Sequence, residues 1–161
     1  MRALIVYYSL EGNTRLIANA IAEHTDADVL ELIPKKEYPT SGFAKYFAGG
    51  KSAILKEKPE LEKYNANLDN YELIIFGSPI WAGTFAPPLR TFLTEHSGMS
   101  NKKIAAFACS SGGGTAKCFT EIKQMLSGCS FVSKLSLIDP LKEYTEKQIN
   151  DAIEWANSIM K

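Results

Sequence analysis

The chain has 161 residues, 45% of them hydrophobic and 22% charged, which suits one soluble globular domain, residues 1–161, able to bury a core. Its 18 basic and 18 acidic side chains cancel, so no electrostatic case exists for nucleic acid or an anionic membrane as a partner. The three cysteines, Cys109, Cys118 and Cys129, are odd in number and lack CxxC spacing, which argues against a disulfide scaffold or a zinc site.

The first apolar run, Leu4 to Tyr8, is continuous, as in a parallel strand buried on both faces. It is too short for a signal peptide or a membrane span, so membrane insertion is not expected and a cytoplasmic location is. Ser9-Leu10-Glu11-Gly12-Asn13-Thr14 follows and opens a helix carrying Leu16, Ile17, Ala20 and Ile21, with Asn13 or Thr14 as its cap. A second strand is expected near 28–33. The segment after it holds Pro34, Pro39, Gly49-Gly50 and Pro59 around Phe43, Tyr46 and Phe47. An irregular or broken helix is expected there. It is either an elaborated crossover or a functional flap or dimer contact.

A third strand at 72–76 runs into Gly77-Ser78-Pro79-Ile80-Trp81-Ala82-Gly83, read as a loop, before a helix opened by Pro87 and Pro88. A fourth, 103–109, leads into Cys109-Ser110-Ser111-Gly112-Gly113-Gly114 and a helix that begins after Thr115. The fifth, 131–138, precedes a terminal helix with a capping-box pattern at Thr145 and Gln148. Strands alternating with helices imply right-handed crossovers and a doubly wound α/β sheet.

In such sheets ligands bind beyond the carboxyl ends of the strands. Three loops leave those ends here. Hydroxyl and amide side chains with a glycine at a helix N-terminus suit a phosphate, although an ordinary cap uses the same residues. Trp81, between Pro79 and Gly83, is placed to stack on a planar ring or to fold back onto the core. The glycines after Ser111 allow close backbone approach to a ligand edge, or simply a flexible turn.

Taken together, these loops resemble the flavodoxin superfamily, most of all its small FMN-binding members, over nearly the whole chain. Ser9, Gly12, Asn13 and Thr14 match the family's S/T-x-T-G-N-T phosphate signature. The resemblance implies a three-layer sandwich with a five-stranded parallel sheet, order 2-1-3-4-5, helices on both faces, and FMN as cofactor. It places Ser9, Leu10, Glu11, Gly12, Asn13 and Thr14 at the FMN phosphate. Ser78, Pro79, Ile80, Trp81, Ala82 and Gly83 would lie against the isoalloxazine, and Cys109, Ser110, Ser111, Gly112 and Gly113 at its pyrimidine edge. No catalytic side chain is implied, because the cofactor carries the redox chemistry.

Three departures from the family pattern stand out. Glu11 replaces a threonine and would repel a phosphate unless it turns outward, with Arg15 near enough to offset part of its charge. The fourth-strand loop lacks a second aromatic, and the chain is neutral where electron-carrier flavodoxins are strongly acidic. The last two favour an oxidoreductase that passes electrons from NAD(P)H or another reduced donor, which includes a redox protein, to a quinone-like or other small acceptor. The alternative is an electron carrier between redox proteins, with a protein acceptor. A homodimer is compatible with either.

A receiver domain, a Walker loop and a low-molecular-weight phosphatase are excluded by missing residues. A hydrolase reading fails because His24 and His96 both precede Ser110.

Overall fold

The computed structural model describes all residues from Met1 to Lys161. Five parallel strands form the sheet: β1 (Ala3–Tyr7), β2 (Asp28–Glu31), β3 (Leu73–Trp81), β5 (Lys103–Ser110) and β6 (Ser130–Ile138), in the order β2-β1-β3-β5-β6. That is the expected arrangement of five, with one addition. A two-residue strand, β4 (Thr84–Phe85), pairs antiparallel with the end of β3. Helices α1 (Asn13–Thr25) and α5 (Thr145–Ile159) cover one face, while α3 (Pro87–Glu95) and α4 (Ala116–Met125) cover the other. Helix α2 (Gly42–Ile54) lies between β2 and β3 in sequence.

Side-chain alternation along the buried strands separates two cores. Leu4, Val6, Ile74, Phe76, Ile104 and Ala106 point toward α3 and α4, where they meet Leu89, Phe92, Phe119 and Ile122. Ala3, Ile5, Tyr7, Ile75, Ala105 and Phe107 point toward Ile17, Ile21, Ala152 and Ala156 of α1 and α5. Both faces of β1 are therefore buried, as its unbroken apolar run requires. Trp155 flanks the second core and donates from Nε1 to Ser133 Oγ at 2.8 Å.

Several local expectations are corrected. The stretch Gly77–Trp81 is not a loop: β3 continues through it and turns back at Ala82 and Gly83, whose φ angles are 49° and 80°. Two successive positive φ values make the tight hairpin turn that matches strand twist, and β-branched or bulky residues avoid it. Helix α2 is regular through Gly49-Gly50, not broken. Gly12, at φ 104°, is the N-cap of α1 in place of Asn13 or Thr14. No capping box forms at α5, because the Gln148 amide instead bridges Ile138 N, Ile138 O and Glu143 O.

Helices α3 and α4 are tied by a buried ion pair. Arg90 Nη2 donates to Glu121 Oε2 at 2.7 Å, while the guanidinium stacks 4.4 Å from the Phe85 ring centroid. Burial alone would raise the Glu121 carboxyl, but the Arg90 contacts outweigh it and hold it below the usual range. A carboxyl depressed on folding contributes stability at neutral pH that is lost as pH falls through its folded pKa. Glu121→Ala leaves Arg90 buried without a counter-charge and is expected to cost about 3 kcal/mol at pH 7. Chemical denaturation at pH 7 and pH 3 checks this, the deficit shrinking at the lower pH.

Candidate functional site

Parallel strands end on the same edge, and the order reverses between β1 and β3, because the chain steps outward to β2 before crossing back. That switch point is where open α/β sheets hold ligands. A cavity of about 160 Å³ opens there. Its walls come from the carboxyl ends of β1, β3, β5 and β6 and from one face of α2.

The loop after β1 forms one wall. Ser9 Oγ accepts from Gly12 N and Arg15 N, both at 3.2 Å, which curls the backbone around it. The amides of Leu10, Glu11, Asn13 and Thr14 donate to nothing within the chain. They form a nest of donors at the positive end of the α1 dipole. Thr14 is 1% exposed and borders the cavity; its hydroxyl has no partner of good hydrogen-bond geometry, its nearest polar neighbour being the Cys109 thiol, whose rise in pKa it opposes. A thiol is a weak hydrogen-bond partner, so this buried hydroxyl is under-satisfied, and a ligand oxygen in the cavity would complete it. Asn13 Oδ1 accepts from Leu141 N at 2.8 Å, so this side chain pins the loop to the segment after β6 rather than being wholly free for an anion.

Glu11 is exposed but does not turn away from the site: it lines the cavity, and Arg15 is not its partner. Arg15 is committed to Glu31 on β2, with Nη2 2.5 Å from Oε1. The Glu11 carboxylate pairs with Lys45 from α2, and this contact raises the Lys45 pKa. The misfit in the loop is thus answered from a distant part of the chain.

The β3–β4 hairpin forms the opposite wall through Pro79, Ile80, Trp81 and Ala82. Trp81 borders the cavity and also packs edge-on against Tyr8 and Tyr38, at centroid distances of 5.6 and 5.0 Å. Helix α2 lies directly on the indole: a Cβ on Gly49 would stand 3.2 Å from Trp81 Cε3. Gly49 therefore serves close approach, whereas a Cβ on Gly50 would meet nothing within 4 Å, and the segment that carries them borders the cavity as a flap would. A bridge between Pro34 and Leu61 closes the base of this excursion, and Thr91 Oγ1 donates to Pro59 O at 2.7 Å.

The loop after β5 supplies Cys109, Ser110 and Ser111. Burial pushes the Cys109 thiol up to about 12, so it stays a neutral thiol at physiological pH. Ser110 Oγ accepts from Gly113 N at 2.9 Å, and Ser111 and Gly112–Gly114 are exposed.

Twelve residues expected at the site thus line the cavity: Ser9, Leu10, Glu11, Asn13, Thr14, Pro79, Ile80, Trp81, Ala82, Cys109, Ser110 and Ser111. Five do not. Gly12 caps α1, Ser78 is buried and accepts from Ala86 N, Gly83 completes the hairpin turn, and Gly112 and Gly113 lie outside the lining. Lys45, Tyr46, Gly49, Gly50 and Asp139 line it without having been expected. The aromatic cluster in 43–47 was the available signal for α2, and the position just after the last strand was the signal for Asp139. His24 and His96 lie elsewhere, at the ends of α1 and α3.

A doubly wound sheet with an amide nest, an under-satisfied buried hydroxyl and an indole around one switch-point cavity has the chemistry to fit a phosphorylated planar ligand. A sequence model of the flavodoxin family matches residues 2–154, and the chain belongs to that family. Solved structures agree on the fold. The protein is similar to a putative flavoprotein from Bacteroides uniformis ATCC 8492 (22% identity, TM-score 0.77, 97% of each chain covered). It is also similar to one from Bacteroides eggerthii DSM 20697 (20%, TM-score 0.75, 97% of this chain and 98% of that one). A flavoprotein in complex with FMN from Lactobacillus acidophilus NCFM matches at 23% identity and TM-score 0.73, over 89% of this chain and 98% of that one. No helix is long and apolar enough to cross a membrane.

Proposed function

We infer that the protein binds FMN and works as an oxidoreductase, passing electrons from NAD(P)H or another reduced donor to a quinone-like or other small acceptor. The observation that carries FMN binding is the set of unpartnered amides of Leu10, Glu11, Asn13 and Thr14, beside the under-satisfied Thr14 hydroxyl in a cavity that Trp81 also lines. Bound FMN would supply the redox centre.

The chain's own residues bind and orient it. The amides and Thr14 hold the phosphate at the α1 N-terminus, where the helix dipole favours a dianion. Asp139 offers an acceptor suited to a polyol chain. Trp81, braced by Tyr8, Tyr38 and Gly49, presents a fixed aromatic wall to the ring. The loop after β5 brings only the small side chains of Ser110 and Ser111 to the cavity, beside exposed glycines. A ring covered on one side is open to a second planar molecule stacking on the other. The neutral net charge supports a small substrate over an acidic docking surface.

Reconstitution with FMN followed by addition of NADH or NADPH and a quinone tests this reading. The expected result is a retained yellow cofactor and oxidation of the pyridine nucleotide. Failure to retain FMN would sink the site assignment. FMN retained and reducible only by a protein donor would replace the reductase with an electron carrier.

A further inference from the structure

The cavity wall carries three charged side chains: Glu11, Asp139 and Lys45. A phosphate dianion seated on the amide nest would face two carboxylates and one ammonium. Arg15, the nearest other cation in sequence, is occupied by Glu31 and does not line the cavity. Lys45 comes from α2, reaches across the opening and pairs with Glu11 inside the phosphate loop itself. Its side chain is only 16% exposed, and its ammonium rests 4.7 Å from the Tyr46 ring centroid, so it is held at this spot rather than free in solvent.

We propose that Lys45 is the counter-charge of the FMN phosphate, delivered by α2 and held in place by Glu11, and that this pair sets the protein's preference for FMN over phosphate-free flavin. The proposal rests on the FMN reading above. It also explains why a glutamate is tolerated in the loop: Glu11 is the anchor of a cation that the loop does not supply. Lysine acts here as a point charge, and the interaction is strong because the cavity is partly shielded from water. Removing Lys45 leaves Glu11 and the phosphate facing each other unscreened.

The test compares FMN and riboflavin, which differ only by the phosphate, in calorimetric titrations of the full chain. In the parent, FMN binds more tightly than riboflavin. Lys45→Met keeps the apolar stem and should weaken FMN about tenfold or more while changing riboflavin by no more than about twofold. Lys45→Arg should retain most of the preference. Adding Glu11→Gln to Lys45→Met removes the exposed carboxylate and should restore about fivefold of the FMN affinity, again without altering riboflavin.

Equal loss of both flavins in Lys45→Met would overturn the proposal, since it would mean that Lys45 only packs α2. No loss of either would overturn it as well, and no recovery in the double variant would remove the role given to Glu11. A parent that binds neither flavin, or both equally, would instead defeat the FMN phosphate site itself. The two failures are therefore distinguishable.

Discussion

Gly77→Ala should lower the stability of the protein by about 3 kcal/mol or more, the upper range for overpacking a core. Gly77 sits mid-sheet, in register with Tyr7 of β1 on one side and Phe107 of β5 on the other. A Cβ there would lie 2.3 Å from Phe107 Cζ and 2.7 Å from Cε1. The ring has nowhere to retreat, because Phe107 is 1% exposed and packed within the core shared by α1 and α5. Either β3 moves away from β5, stretching ladder bonds on both sides, or Phe107 leaves its rotamer and presses on α1. Both responses disturb the strand ends that carry the site, so FMN affinity should fall with stability. Urea unfolding measures the first effect. Phe107→Leu, costly alone, should regain part of the loss when combined with Gly77→Ala. A Gly77→Ala variant within about 0.5 kcal/mol of the parent would show that the sheet absorbs the methyl group and the packing account is wrong.

The same residue shows how far the sequence could be read. Continuous apolar runs located β1 and β5, because a strand covered on both faces has little room for polar residues. Strand order followed from the alternation with helices and from the family resemblance. Gly77, Pro79 and Gly83, by contrast, signalled a loop. In fact β3 runs on through Trp81 and folds back in a hairpin whose turn residues, Ala82 and Gly83, lack the usual Asn-Gly signal. Glycine here serves close packing against Phe107, a tertiary demand with no local signature.

The regularity of helix α2, expected as an irregular or broken helix, was hidden for a related reason. Gly49-Gly50 lowers helix propensity, yet the helix is held by contact with Trp81 and by the Tyr38–Ser52–Glu57 hydrogen bonds. The partner of Glu11 was also beyond local reading, since Lys45 is brought to it only by the fold. What was legible in the site was therefore what each strand-end segment specifies by itself: the phosphate-loop residues after β1, Pro79 to Ala82, and Cys109 to Ser111. Charges supplied by another element were not.

Thr14→Val should separate stability from binding, with opposite signs. Thr14 is buried, its hydroxyl has no better neighbour than the Cys109 thiol, and the residue stands in the first turn of α1 at the cavity wall. Valine has nearly the same shape, so packing against the neighbouring core is retained. In the absence of flavin, replacing a buried hydroxyl that has only a thiol beside it with a methyl group removes a desolvation cost, and the variant should be as stable as the parent or more stable by about 1 kcal/mol. With FMN the account reverses. A hydrogen bond to a charged acceptor contributes about 1.5–3 kcal/mol, so FMN affinity should drop about 10- to 100-fold. Riboflavin, which has no phosphate, should bind the variant and the parent alike. Asn13→Ala is the informative contrast. It breaks the contact with Leu141 N, so it should weaken FMN while also destabilising the flavin-free protein. Thermal unfolding without ligand, alongside flavin titration, distinguishes the two. If Thr14→Val lost stability and kept its FMN affinity, the hydroxyl would be a structural group, and the phosphate would have to be held by the amides alone.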